Sequence, residues 1–235
     1  MFKVAYGEEG RSLHFYESDD DVSALSKCLD ALGKKESEHI EDYISLYDNL
    51  LAYVCQMRFP EGEAKDKFKN IRSWLDKHGF YTCPASAQYH ESFRGGLLVH
   101  TCKVAIEINK LQKLEKFNSV DWSSAILVSL VHDWCKIEQY EPYTRWYKDD
   151  NDPTWKSKIE FRRKTPPIPL GHGVTSMYIA SRFFKLSVPE ALAIRWHMGE
   201  YNVADNEMND LHAANEAYPL VQLIQFADRL SITEY

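Results

Sequence analysis

No stretch of this 235-residue sequence stays apolar for the roughly 20 residues that a membrane-crossing helix needs, which excludes a helical membrane span. Cysteine is sparse: the five residues Cys28, Cys55, Cys83, Cys102 and Cys135 are odd in number, scattered, and form no C-x-x-C pair. That spacing excludes a disulfide framework and a zinc knuckle, and leaves buried free thiols as the expectation. Basic charge is in deficit, with 28 Lys and Arg against 35 Asp and Glu, a net charge of −7. No global positive field therefore draws the chain to a long duplex, although a nucleotide or short single strand remains compatible. The opening Met1-Phe2-Lys3-Val4-Ala5-Tyr6 lacks the apolar core of a signal peptide, so a cytosolic protein is expected. Internal repeats and low-complexity tracts are also absent.

What is present is a predominantly helical pattern. Phe2, Val4 and Tyr6 alternate, and with Leu13 and Phe15 they predict a short peripheral β-hairpin near the N-terminus. Ser18-Asp19-Asp20-Asp21 reads as a helix start. Ile40, Tyr43, Ile44, Tyr47, Leu50, Leu51 and Val54 then keep helical spacing, and another helix is expected over Glu63–His78 with Gly79 as its stop. Phe80 to Gly96 is loop-like in composition. Helical patterns return over Leu97–Leu114, Trp122–Tyr140, Gly173–Phe184, Pro189–Met198 and Pro219–Ile232. The expectation is an all-α bundle, with residues 1–79 as a helical extension and 80–235 as the core. A polar, aromatic- and proline-bearing insertion at 141–170 interrupts that core, and is expected to lack regular structure.

Six residues stand out: His100, His132, Asp133, His172, His197 and Asp228. Each lies in or beside a predicted helix among apolar neighbours. Asp133 follows Ile126-Leu127-Val128-Ser129-Leu130-Val131-His132, and Asp228 sits between Leu223-Ile224-Gln225-Phe226-Ala227 and Leu230. An ionised carboxylate buried in such company needs a cation or another partner. Taken singly, a buried histidine is more often a packed residue donating to a backbone carbonyl, and Asp228 beside Arg229 reads as a simple ion pair. In the order H…HD…H…H…D the six are hard to explain as packing, and imidazole with carboxylate suits Mn²⁺, Fe²⁺, Co²⁺, Ni²⁺ or Zn²⁺. The other five histidines (His14, His39, His78, His90 and His212) lack such company.

This order resembles the HD superfamily, in which helices present H…HD…D ligands to a metal. His172 and His197 match its two-metal branch. Pro84-Ala85-Ser86-Ala87, Arg94-Gly95-Gly96-Leu97-Leu98-Val99-His100-Thr101 and His132-Asp133-Trp134-Cys135-Lys136-Ile137 look like bacterial HD-domain 3′–5′ exoribonucleases. Leu170-Gly171-His172, His197-Met198-Gly199-Glu200 and Phe226-Ala227-Asp228 continue the likeness, which covers roughly Phe80 to the end. Relatives often read HD-x-G-K, whereas Cys135 takes the glycine position here.

The resemblance implies two divalent transition-metal ions, with His100, His132 and Asp228 on one, His172 and His197 on the other, and Asp133 bridging. A water shared by two such ions is acidified to hydroxide, which is the expected nucleophile for a phosphoester in a nucleotide, cyclic nucleotide or short oligonucleotide. Lys136 is expected one turn beyond Asp133, holding a phosphate oxygen or stabilising the leaving group. Arg94 is a second phosphate candidate, and His90 a leaving-group or supporting partner. Aromatics interleaved with cations in the insertion, Trp146 and Trp155 among them, would suit a base-stacking lid. The same six ligands also fit a di-iron oxygenase cleaving a C–C or C–P bond, and a non-catalytic nucleotide sensor is a third reading. Metal identity, substrate and oligomeric state are open at this stage.

Overall fold

Ile40–Arg58 shows why this sequence becomes helix. Tyr43, Leu46, Tyr47, Leu50, Leu51 and Val54 recur at three- and four-residue intervals, and all six are buried. Phe59 ends the helix in extended backbone (φ −122°, ψ 152°), the conformation that the following Pro60 favours. The structure, a computed structural model, describes residues 21–34, 39–149, 152–201 and 203–232. Among these residues the helices are α1 (Asp21–Lys34), α2 (Ile40–Arg58), α3 (Ala64–Lys77), α4 (Gly96–Leu111) and α5 (Trp122–Val131). After a hairpin follow α6 (His172–Ser181), α7 (Val188–Arg195), α8 (Met208–Ala217) and α9 (Pro219–Ser231).

The centre of the fold is α4 and α5. Helix α4 packs on α1, α2, α5 and α9, while α5 also meets α2, α7 and α9. Ala125 to Val131 of α5 are buried without interruption, because that helix is apolar on every face. Its C-terminus therefore delivers the next residues, His132 and Asp133, into the interior. Helices α1 and α2 share this core, which runs continuously from Leu25 to Ala227. No described helix is long and apolar enough to cross a membrane.

Two expectations change. The helix predicted over Trp122–Tyr140 stops at Val131, and Trp134–Lys136 forms a separate 3-10 turn. The 141–170 segment, expected to be irregular, contains an antiparallel ribbon of β1 (Tyr140–Asp149) and β2 (Asp152–Arg163). Its aromatic, Thr and Ile residues favour strand, and the Asp149-Asp150-Asn151-Asp152-Pro153 sequence has turn composition. The hairpin expected in the first fifteen residues lies outside the described residues; the ribbon seen is in the middle of the chain.

The ribbon's register divides it sharply. Tyr140↔Arg163, Pro142↔Phe161, Thr144↔Ile159, Trp146↔Ser157 and Lys148↔Trp155 share one face. On the other, Glu141 pairs with Arg162, while Glu160 takes Arg145, Lys158 and the Tyr143 hydroxyl.

At the end of the bundle remote from the α5 C-terminus, Arg58 ties three helices together. It donates to Glu190 of α7 and to Ser123 and Ser124 at the start of α5. Glu190 is fully buried and completes a capping box with Ser187. Glu190→Ala should lose about 3–5 kcal/mol of stability, because it strands a largely buried guanidinium and removes a cap. The urea midpoint checks this, and a drop under about 1 kcal/mol would show the pair to be dispensable.

Candidate metal centre

The six sequence-selected residues come from five places in the chain and converge. His132 and His197 stand immediately beyond the α5 and α7 C-termini, where backbone carbonyls are left without helical partners. Each ring uses Nδ1 on such a carbonyl: His132 on Ser129 O at 2.7 Å, His197 on Ile194 O at 2.8 Å. His100, on the buried face of α4, has Nδ1 3.3 Å from Ser231 Oγ, whose hydroxyl donates to Asp228 O. His172 opens α6, with Nδ1 3.1 Å from Cys135 Sγ. Every ring thus has Nδ1 engaged outward and Nε2 turned to a common centre. That fixed orientation is what a histidine ligand requires.

The centre is Asp133. Its Oδ2 lies 3.4 Å from His100 Nε2 and 3.6 Å from His132 Nε2. Asp228 Oδ1 joins that side, 3.1 Å from His100 Nε2 and 3.8 Å from His132 Nε2. The other oxygen, Oδ1, lies 2.7 Å from His172 Nε2 and 3.5 Å from His197 Nε2. Ligands about 2.0–2.2 Å from one ion stand roughly 3–3.6 Å from each other. His100–Asp133, His132–Asp133, His100–Asp228 and His197–Asp133 fall in that range, while His172–Asp133 at 2.7 Å is a hydrogen bond and His132–Asp228 at 3.8 Å is slightly longer. His197 Nε2 is buried and has no hydrogen-bond partner among the described residues. An acceptor left in that state is costly unless something else satisfies it. These two buried His/Asp groups can hold metal ions, and the donor set fits divalent transition metals.

Electrostatics agree. Burial holds His132 down at about 3, so its ring is neutral, the form a metal needs. His172 is lowered for the same reason. Burial also pushes on His100, but hydrogen bonds to Asp133 and Asp228 outweigh it and raise it to about 9. A proton there sits between two carboxylates, where a cation would serve equally. Burial would raise both acids. Lys136 and His132 nevertheless hold Asp133 well below the carboxylate range, and hydrogen bonding to His100 holds Asp228 down.

The remaining candidates separate. Lys136 reaches Asp133 Oδ2 at 2.7 Å, because the 3-10 turn eclipses residues i and i+3. His90 lies beside His100, with ring centroids 5.2 Å apart, and forms a further group with Glu91 and His100. Arg94 is exposed and lines a different cleft, with Lys164 and Tyr140. Trp146 stands on the ribbon and is 63% exposed. Sequence reasoning missed Ser231 and Glu91, and noted Cys135 only at the glycine position of the HD-x-G-K pattern. Glu91 left a trace in the Gly95-Gly96 pair: a Cβ on Gly96 would lie 1.9 Å from Glu91 O.

Fold and site together define a mainly helical protein with a buried histidine–aspartate centre able to hold metal. No family model, curated protein or solved structure matches the chain.

Proposed function

We propose that this protein is a metal-dependent phosphohydrolase of the HD type, acting on a phosphoester in a nucleotide, cyclic nucleotide or short oligonucleotide. One observation carries the reading: the two oxygens of Asp133 face two different histidine groups, His100/His132 and His172/His197. In this reading His100, His132 and Asp228 hold one ion, His172 and His197 the second, and Asp133 is shared. Ions so held supply Lewis acidity toward phosphoryl oxygens and an acidified water. The chain's own contribution is orientation and charge. The Nδ1 contacts to Ser129, Ile194 and Ser231 keep three rings in place without rearrangement. Lys136, nearly buried, keeps its ammonium charged because the Asp133 carboxylate outweighs the effect of burial. In this reading it neutralises charge building on a phosphate oxygen.

Lys136→Met should therefore lower kcat about 10²–10³-fold, the loss typical of one preorganised charge donor. A wild-type kcat in a metal-loaded variant would remove Lys136 from the chemistry. The reading as a whole is tested by elemental analysis of the purified protein, with a turnover screen in Mn²⁺ over phosphodiesters, nucleotides and short RNA. About two transition-metal ions per chain with ester hydrolysis supports it. Two irons with oxygen uptake and no hydrolysis would transfer the site to the oxygenase reading.

A further inference from the structure

Among the described residues, nothing packs along most of the ribbon face that carries Trp146 and Trp155. Trp146 is 63% exposed, Trp155 64% and Ile159 63%, although exposed aromatics of this size are normally covered. At its base the same face continues, through Pro142, Phe161 and Tyr140, into a cleft of about 730 Å³ that Phe93, Arg94 and Lys164 also line. None of the six candidate ligands lines that cleft, but its wall touches the turn that carries Lys136. Cys83, on its wall, donates to the backbone carbonyl of Lys136, and Tyr140 follows Lys136 by four residues.

Cations outnumber carboxylates on this surface, where the one carboxylate lining the cleft, Glu138, stands 3.1 Å from His78 Nδ1. Lys148 and Arg163 share the aromatic face, and Arg94 and Lys164 stand at its foot. The carboxylates Glu141 and Glu160 point the other way, engaged by Arg162, Arg145 and Lys158. Lys148 lies over the Trp155 ring, 4.9 Å from its centroid. In a chain of net charge −7, this is a local cationic and aromatic strip whose foot lies against the turn that carries Lys136.

We infer that this face is a binding track for single-stranded nucleic acid, with bases stacked on Trp146 and Trp155 and phosphates on Lys148, Arg163, Arg94 and Lys164. Stacking platforms interleaved with cations suit a single strand, whose bases are free to leave one another. A duplex keeps its bases enclosed and offers the tryptophans nothing. A second copy of the chain would set the four cations against their counterparts. A two-stranded ribbon of this length spans about 30 Å, room for a strand of several nucleotides and more than a mononucleotide needs. The inference deepens the phosphohydrolase reading and rests on it for the direction of the strand.

Binding is best measured in chelator, so that the track and the chemistry fail separately. Fluorescence anisotropy of the full chain with oligodeoxythymidylates of increasing length should show affinity rising with length. The double variant Trp146→Ala/Trp155→Ala should lose about 10- to 100-fold in affinity for the longer strands and flatten that dependence. The Phe/Phe double variant should recover most of it. Lys148→Ala should reduce the slope of log affinity against log salt by about 0.7. An unshifted thermal midpoint in the Ala/Ala variant would confirm that folding is intact. Absent binding, affinity indifferent to both tryptophans, or equal affinity for duplex would overturn the track. Tryptophan-dependent self-association in sedimentation would overturn it too, and give the face to a second copy. Hydrolysis of a small phosphodiester in Mn²⁺ reports on the metal centre independently of all these outcomes.

Discussion

Asp133→Ala is expected to bind neither ion and to hydrolyse no phosphoester. The carboxylate meets His100 and His132 through Oδ2, and His172 and His197 through Oδ1. One deletion therefore removes a ligand from both sides, and leaves two cations with no shared anion between them to offset their mutual repulsion. Loss of metal assistance is worth several kcal/mol of transition-state stabilisation, a fall of about 10³-fold or more in rate. Asp228→Ala provides the contrast. Its oxygen lies near His100 and His132 and contributes to their side, so one ion should remain. Metal content after reconstitution with Mn²⁺ distinguishes the two variants directly. Asp133→Ala also deprives the Lys136 ammonium of its partner at 2.7 Å in a nearly buried place, which destabilises the fold. Asp133→Asn keeps the volume while discarding the charge, so it should fold and still lose both ions. Two ions per chain in the Asn variant would show that Asp133 does not join the sites.

How much of this was legible beforehand differs from element to element. The candidate ligands were readable as a set rather than singly: His132-Asp133 ends an apolar helix, Asp228 interrupts the apolar stretch of α9, and the order H…HD…H…H…D joins the other histidines to them. Their convergence also needed only the burial of those faces. The shared role of the Nδ1 atoms was not readable, since a ring's partner on the carbonyl three residues back depends on the helix stopping at Val131 and at Arg195. Periodicity carries on past such a stop, which is why Trp122–Tyr140 read as one helix. The ribbon was hidden for another reason. Both of its faces are solvent-exposed, so the usual alternation of apolar and polar residues is weak. Trp, Tyr, Lys and Arg follow one another in a way that resembles a polar loop. What separated strand from loop was β-propensity around a turn-forming centre, a signal outweighed by the prolines. Ser231 carries no sequence signature, and Cys135 showed only as a departure from the HD-x-G-K pattern, because their place beside His100 and His172 is set by helix packing.

Gly173→Ala should split the centre. A Cβ on Gly173 would lie 2.0 Å from the backbone oxygen of Arg195 and 3.0 Å from its Cα, so backbone rather than a pliable side chain would have to yield. Gly173 directly follows His172, and Arg195 precedes His197 by two residues. The methyl group would therefore act as a wedge between α6 and α7, at the point where they bring both histidines to Asp133 Oδ1. Overpacking of this kind lowers stability by about 1–3 kcal/mol. The sharper consequence is selective. Metal affinity on the His172/His197 side should fall about 10- to 100-fold, as it does when a ligand's support is disturbed. The His100/His132/Asp228 side is held by α4, α5 and α9, and should keep its ion. A calorimetric Mn²⁺ titration that shows two steps in the parent and one in the variant is the expected result. Equal weakening of both steps would mean that α6 and α7 do not position their histidines independently of the α4–α5–α9 side.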